Sequence, residues 1–159
     1  MSHRERGFSL IELLIVIAVI GIISAVGLPA YRSYIETTQM SRVNAAYEYA
    51  VRTARDEFAK HTTRMALGLN STLPENSAQW IEVFDPGGGS LAPGGGPAYL
   101  NARVNRNALH AEDTTGAVLI RYNRNKQRLD VGRPAYAKLE AYRARITADA
   151  IVTRDWQDD

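Results

Sequence analysis

Phe8-Ser9-Leu10-Ile11-Glu12-Leu13-Leu14-Ile15-Val16-Ile17-Ala18-Val19-Ile20-Gly21-Ile22-Ile23-Ser24-Ala25-Val26-Gly27-Leu28 is an apolar run that contains one charge, Glu12. Its length suffices to cross a bilayer, which takes about 20 residues at about 1.5 Å of helical rise each. A carboxylate inside such a span costs roughly 2.5–3.5 kcal/mol on insertion scales, so it needs a partner and a task. The flank ahead of the run carries Arg4 and Arg6. By the positive-inside bias that end stays in the cytoplasm and the rest of the chain lies outside.

An ordinary secretory signal is one reading, with Ala25-Val26-Gly27 as a small-x-small cleavage site. The apolar core is long for a signal, which usually has about 7–15 such residues, and Glu12 interrupts it. A plain single-pass anchor gives Glu12 no purpose either. A third reading accounts for it: Gly7-Phe8-Ser9-Leu10-Ile11-Glu12 resembles the processing site of type IV pilins. The resemblance implies that a dedicated peptidase and methyltransferase cuts after Gly7 and methylates the new amino terminus, Phe8. The membrane helix then stays in the mature protein. Gly21, Gly27 and Pro29 fall where that family has helix-loosening residues, and Pro29-Ala30-Tyr31-Arg32-Ser33-Tyr34 is similar to its Pro-Ala-Tyr-x-x-Tyr stretch. The likeness covers about the first third of the chain, and the leader of residues 1–7 suits the short-leader type IVa class. Two features depart from family patterns. No cysteine is present to close a C-terminal disulfide loop, and the calcium-binding pattern of the major pseudopilins is not found.

The chain has 159 residues. Without the leader and about 50 residues of helix, roughly 100 are left for one small globular head. Loss of Arg4, Glu5 and Arg6 with the leader would take the formal charge from +2 to +1, which does not suggest a general polyanion binder. With no cysteine in an exported chain, packing alone must hold the head together.

Past Pro29 the pattern stays helical. Val43, Tyr47, Ala50, Ala54 and Phe58 make one apolar stripe, with Ala46 and Val51 beside it. Arg32–Glu36, Glu48–Arg52, Arg52–Asp56 and Asp56–Lys60 are i,i+4 pairs on a wet flank, each worth about 0.2–0.5 kcal/mol. One helix is therefore expected from Phe8 to about His61, apolar all round over residues 8–28 and amphipathic over 29–61, before Gly68, Asn70 and Pro74 break the pattern. Residues 62–159 should form a β-rich head. In it, Gln79–Phe84 alternates weakly, as a strand would, and the glycine triplets of Pro86–Pro97 read as a mobile surface loop. A hairpin is expected from Gly116–Tyr122, a turn at Asn123–Lys126, and Gln127–Val131. From Pro134 to Thr153, Leu139, Tyr142 and Ile146 suit a helix, whereas Arg145–Thr153 suits the final strand favoured here. The fold class is α+β: a long N-terminal helix on a small antiparallel sheet.

Little in this sequence supports an enzyme. Thiol chemistry is excluded, and His61 and His110 lack the setting of a catalytic triad. His110, Glu112 and Asp113 could be drawn as a metal cluster, but a solvated turn explains them better, and no cofactor is called for. Asn70-Ser71-Thr72 matches a glycosylation acceptor, a pattern common by chance. Arg121, Arg124, Lys126, Arg128 and Arg133, with Tyr122 among them and Asp130 as the one acid, could track a nucleic-acid backbone. A solvated hairpin rim is the simpler account, so nucleic acid is the weaker candidate partner. The resemblance implies a structural subunit that sits in the inner membrane and then enters an extracellular pilus used for adhesion, twitching motility or DNA uptake. Its implied partners are membrane lipid, the peptidase, the inner-membrane assembly platform and other pilin subunits. The resemblance also implies that Glu12 pairs with the charged amine of a processed Phe8. A pseudopilin of type II secretion and a DNA- or ligand-binding minor pilin are the alternatives.

Overall fold

The computed structural model describes residues 8–70, 72–104, 106–109 and 115–155. Its longest element is helix α1, Leu10–Ala66, with Pro29 inside it. Internal contacts divide the chain into two units that meet between Thr38 and Gln39. In the first unit the helix is continuous through Gly21, Gly27 and Pro29, and its apolar side chains are exposed. Thr37 and Thr38 donate their hydroxyls to the carbonyls of Ser33 and Tyr34, both at 2.9 Å.

In the second unit α1 buries Val43, Tyr47, Ala50, Ala54, Phe58 and His61, the predicted stripe extended by one position. It ends five residues beyond the expected His61 because the residues after His61 still allow helix and the stop is Gly68. Gly68 N–H bonds to Met65 O at 3.0 Å and Leu69 N–H to Arg64 O at 2.9 Å, the paired closure that a left-handed residue makes at a helix end.

Residues 77–84 correct the expected strand. They form helix α2, Ser77–Phe84. Asn76 caps it, accepting from Gln79 N–H at 3.0 Å, and Ser77, Trp80 and Phe84 fall on one buried face. Trp80 stacks on Phe58 with ring centroids 5.6 Å apart and lies 5.7 Å from Phe84, so α2 is an aromatic wedge in the core.

The loop after α2 is also better fixed than expected. The Asp85 carboxylate accepts from Ser90 N–H at 3.0 Å and Ser90 Oγ at 2.8 Å, and Gly94 N–H bonds to Thr115 O at 2.8 Å. Leu91 bridges to Pro97, so the glycine triplets make hydrogen-bonded turns instead of a free strap.

Five strands follow: β1 Tyr99–Asn101, β2 Val118–Asn123, β3 Arg128–Arg133, β4 Tyr142–Ile146 and β5 Ile151–Asp155, paired in that order. A one-turn helix α3, Arg106–Leu109, lies between β1 and β2. The sheet is mixed: β1 runs parallel to β2, and the other neighbours are antiparallel as expected. The β2–β3 hairpin stands where it was predicted, closed by a 3-10 turn over Arg124–Lys126. The chain's last segment holds two strands and not one. Thr147 N–H bonds to Ala150 O at 2.9 Å and turns β4 into β5. Tyr142 and Ile146, whose spacing of four also suits a helix, share the inner face of β4 with Ala144. That face joins Val118, Ile120, Leu129 and Val131 in one core with Tyr47, Ala50, Ala54 and Phe58 of α1.

Candidate assembly segment and head surfaces

Among the described residues, the run from Phe8 to Leu28 buries nothing within the chain. Phe8 and Leu10 are each 81% exposed, and Leu28 is 60% exposed. The helix is long and apolar enough to cross a membrane. A surface of that size and polarity demands lipid or protein around it. Gly7 lies outside the described residues.

Glu12 has a local partner that sequence reasoning missed. Ser9 stands just ahead of α1, and its N–H donates to Glu12 Oε2 at 2.9 Å, while Leu13 N–H bonds to Ser9 O at 3.2 Å. This is half of a capping box, in which the third helical residue reaches back to satisfy an orphan amide. The signal was the Ser-x-x-Glu spacing of Ser9 and Glu12. A carboxylate offers about four lone-pair sites, so this bond leaves Glu12 able to accept a second donor. Gly21, Gly27 and Pro29 lie in the exposed first unit; a Cβ built on either glycine meets nothing within 4 Å.

The five basic residues singled out around the hairpin are not one surface. Arg124 and Lys126 sit in the tip turn, where Arg124 Nη2 reaches Glu75 Oε1 at 3.3 Å. Arg121 and Arg128 lie on the sheet face away from α1. There Asp130, directly opposite Arg121, accepts from Arg128 Nε and Arg145 Nε, each at 3.1 Å. Arg133 points the other way. Its guanidinium lies 5.6 Å from the Tyr47 ring centroid and 5.4 Å from that of Tyr142, and it donates to Asn44 Oδ1 and to Glu140 O. Arg133 therefore ties β3 to α1 by cation–π contact and hydrogen bonds. Tyr122, expected beside the arginines, packs against Trp80 at 5.8 Å on the inner side.

Two tyrosines in the head are shifted. Burial pushes the Tyr99 phenol up to about 12, and its hydroxyl donates to Ala46 O at 3.1 Å. Burial also raises Tyr122, against a smaller lowering by Arg124. Among the described residues no group of three His, Cys, Asp or Glu side chains could hold a metal. His110, Glu112 and Asp113 lie outside the described residues, as does Ser71 of the glycosylation pattern.

Comparison with known proteins adds to this geometry. Residues 2–28 match the family model described as the prokaryotic N-terminal methylation motif. The chain is 38% identical over 129 residues to fimbrial protein Q of Moraxella bovis, covering 74% of this chain and 78% of that protein. It is 36% identical over 101 residues to the type IV major fimbrial protein FimA of Dichelobacter nodosus, covering 57% of this chain and 63% of that protein. A fimbrial protein of Neisseria meningitidis is 33% identical over 91 residues, 52% of each chain. No solved structure matches.

Proposed function

The chain belongs to the type IV pilin family and is a structural subunit of a type IV pilus; on that premise we propose how it is processed and assembled. It begins as a single-pass inner-membrane protein. The leader of residues 1–7 is cut after Gly7, and the new amine on Phe8 is methylated by the same dedicated enzyme. An assembly platform in the inner membrane then draws the subunit out of the lipid into the filament. The head surface of that filament serves attachment and twitching motility. No enzymatic activity is assigned to the chain.

One observation carries the reading: the apolar half of α1, exposed throughout Phe8–Leu28, has a single carboxylate one turn from its start. In lipid the span satisfies its backbone internally. In a filament the same surface is covered by copies of itself, and Glu12 meets a charged amine within a low-dielectric core. Each charge then offsets the other's desolvation, whereas either alone would be left unpaired. Glu12 is proposed as the assembly residue, and Gly21, Gly27 and Pro29 as the place where the helix loosens when the subunit enters the filament. No observation favours a pseudopilin.

Mass spectrometry of filaments sheared from the native host tests the processing step. The expected chain starts at Phe8 and is heavier by one methyl group. Filament subunits that begin at Met1 would refute it.

A further inference from the structure

We infer that a recess at the tip of the β2–β3 hairpin binds one neutral pyranose ring, presented at the end of a surface glycan. The recess has a volume of about 220 Å³ and is lined by Leu73, Pro74, Glu75, Tyr122, Arg124 and Gln127. Drug-sized sites take roughly 300–1,000 Å³, so this one has room for a single small ring. It lies wholly in the head, at the end where α1 stops: Tyr122 leans on Trp80 at 5.8 Å, and Trp80 stacks on Phe58. Core packing thus holds the Tyr122 ring, and Ser77 Oγ accepts from Tyr122 N–H at 2.9 Å. The opposite wall is pinned as well, because Glu75 N–H donates to Gln79 Oε1 at 2.6 Å. The site gives the attachment role proposed for the head a ligand class, and its meaning for the pilus rests on that reading.

Leu73, Pro74 and the Tyr122 ring supply apolar surface for the C–H face of a pyranose. Glu75 accepts hydrogen bonds, Arg124 donates them, and Gln127 does both, which suits the mixed demands of ring hydroxyls. Arg124 Nη2 already meets Glu75 Oε1 at 3.3 Å. That pairing cancels both charges, so neither an anion nor a cation is favoured here. It still leaves about four guanidinium N–H groups and about three carboxylate lone pairs for a neutral partner. Gln127 carries the strongest mark of function. It ends the hairpin turn in the left-handed region, at φ +42°, where glycine or asparagine would sit with less strain. Such outliers cluster at ligand clamps, and this one borders the recess. Among the described residues no hydrogen bond uses its side-chain amide or the Tyr122 hydroxyl, so both are open to a ligand.

The test uses the full chain in detergent, with methyl pyranosides of glucose, galactose, mannose and N-acetylglucosamine as probes and saturation-transfer NMR as readout. A ligand of about a dozen heavy atoms at ordinary efficiency binds with a Kd on the order of 1 mM. At least one pyranoside should show saturable transfer to its ring C–H protons. Salt between about 50 and 500 mM should leave that Kd unchanged, as a neutral ligand requires. Gln127→Gly should weaken binding about tenfold, the loss expected for a hydrogen-bonded side chain, in a protein whose circular dichroism is unchanged. Tyr122→Phe keeps the ring, loses the hydroxyl, and should weaken binding several-fold. Lys126→Ala, in the same turn but outside the lining, should bind as the parent does. Filaments carry many copies, so beads bearing the bound pyranoside should retain them and the free sugar should release them. The inference is overturned if no pyranoside gives transfer at about 50 mM, roughly 50 times the expected Kd. It is overturned too if linear sorbitol binds as well as the rings, or if Gln127→Gly binds as the parent. A steep salt dependence, loss of binding in Lys126→Ala, or filaments that the beads fail to retain would equally refute it. The NMR readout needs no filament, and filament yield and attachment to cells are scored separately, so failure here leaves the pilus reading standing.

Discussion

Glu12 can be asked which of its two tasks matters by replacing it with Gln and, separately, with Ala. In the free subunit Glu12 Oε2 accepts from Ser9 N–H at 2.9 Å. Gln keeps that acceptor, since a capping box tolerates Glu or Gln at this position, but it has no charge. Ala removes both, and loss of a capping interaction costs about 0.5–2 kcal/mol. Breaking a buried ion pair by removing one member costs about 3–5 kcal/mol, because the other charge is left stranded. If the charge is what assembly uses, Glu12→Gln loses about 3–5 kcal/mol per subunit contact and Glu12→Ala roughly 1 more, so both lower filament yield by over about 100-fold. If the cap is what matters, Glu12→Gln assembles like the parent and only Glu12→Ala is impaired. Both variants should enter the membrane more easily, because the costly charge is gone. The assay is pilin in the sheared fraction relative to pilin in the membrane, read with the methylation state of Phe8. Parent yield with normal methylation from Glu12→Gln would refute the charge-pairing argument and leave the capping bond as the explanation of this residue.

Replacing Gly21, Gly27 and Pro29 together by Ala should stabilise the helix by about 5 kcal/mol, at about 1 per glycine and 3 for the proline. No steric objection arises at the glycines, so filaments should be fewer or stiffer under an optical trap; parent extensibility, or a map of native filaments with unbroken helix there, would end the loosening proposal. Gly116→Ala should cost about 2–5 kcal/mol, because φ is +78° and the new Cβ would lie 2.8 Å from Val43 Cγ2, so strain and overpacking add. Urea titration of the full chain in detergent measures it, and a loss under about 1 kcal/mol would contradict the packing around Val43 and Tyr136. Tyr99 makes the head sensitive to alkali. Its phenol holds a proton more tightly folded than unfolded, so its contribution is complete below the unfolded value of 10.0 and is lost as pH rises through about 12. Tyr99→Phe should flatten the fall in melting temperature across that window, and an unchanged slope would assign the sensitivity elsewhere.

The α1 stripe and the β2–β3 hairpin were legible because each used a period that nothing else imitates. Val43 to Phe58 repeats at four and three over several turns, and the hairpin sets apolar strands on either side of a polar turn. Short segments fail that test. Ile81, Glu82 and Val83 alternate as in a strand, yet Trp80 and Phe84 are a helical pair, and the deciding residue was the cap Asn76, outside the alternation. Tyr142 and Ile146 fail in the opposite sense, since a spacing of four lies on one face of either element and only their inner-face neighbour Ala144 separates the two.

The same parity rule governs the arginines. Along β3, Arg133 has the parity of Leu129 and Val131, both fully buried, so it had to turn inward once that strand was placed; Arg128 shares the parity of Asp130 and had to turn out. Nearness in sequence merged them into one basic patch, and the pleat divides them between the inner tie to Tyr47 and the outer row around Asp130. Parity could have been read before any coordinates. The third member of the outer cluster could not, because Arg145 reaches Asp130 from a strand whose existence the sequence left ambiguous. The outer cluster therefore depends on β4 being a strand: as a helix, residues 139–146 would carry Arg145 away from Asp130 and leave a buried carboxylate with one fewer donor.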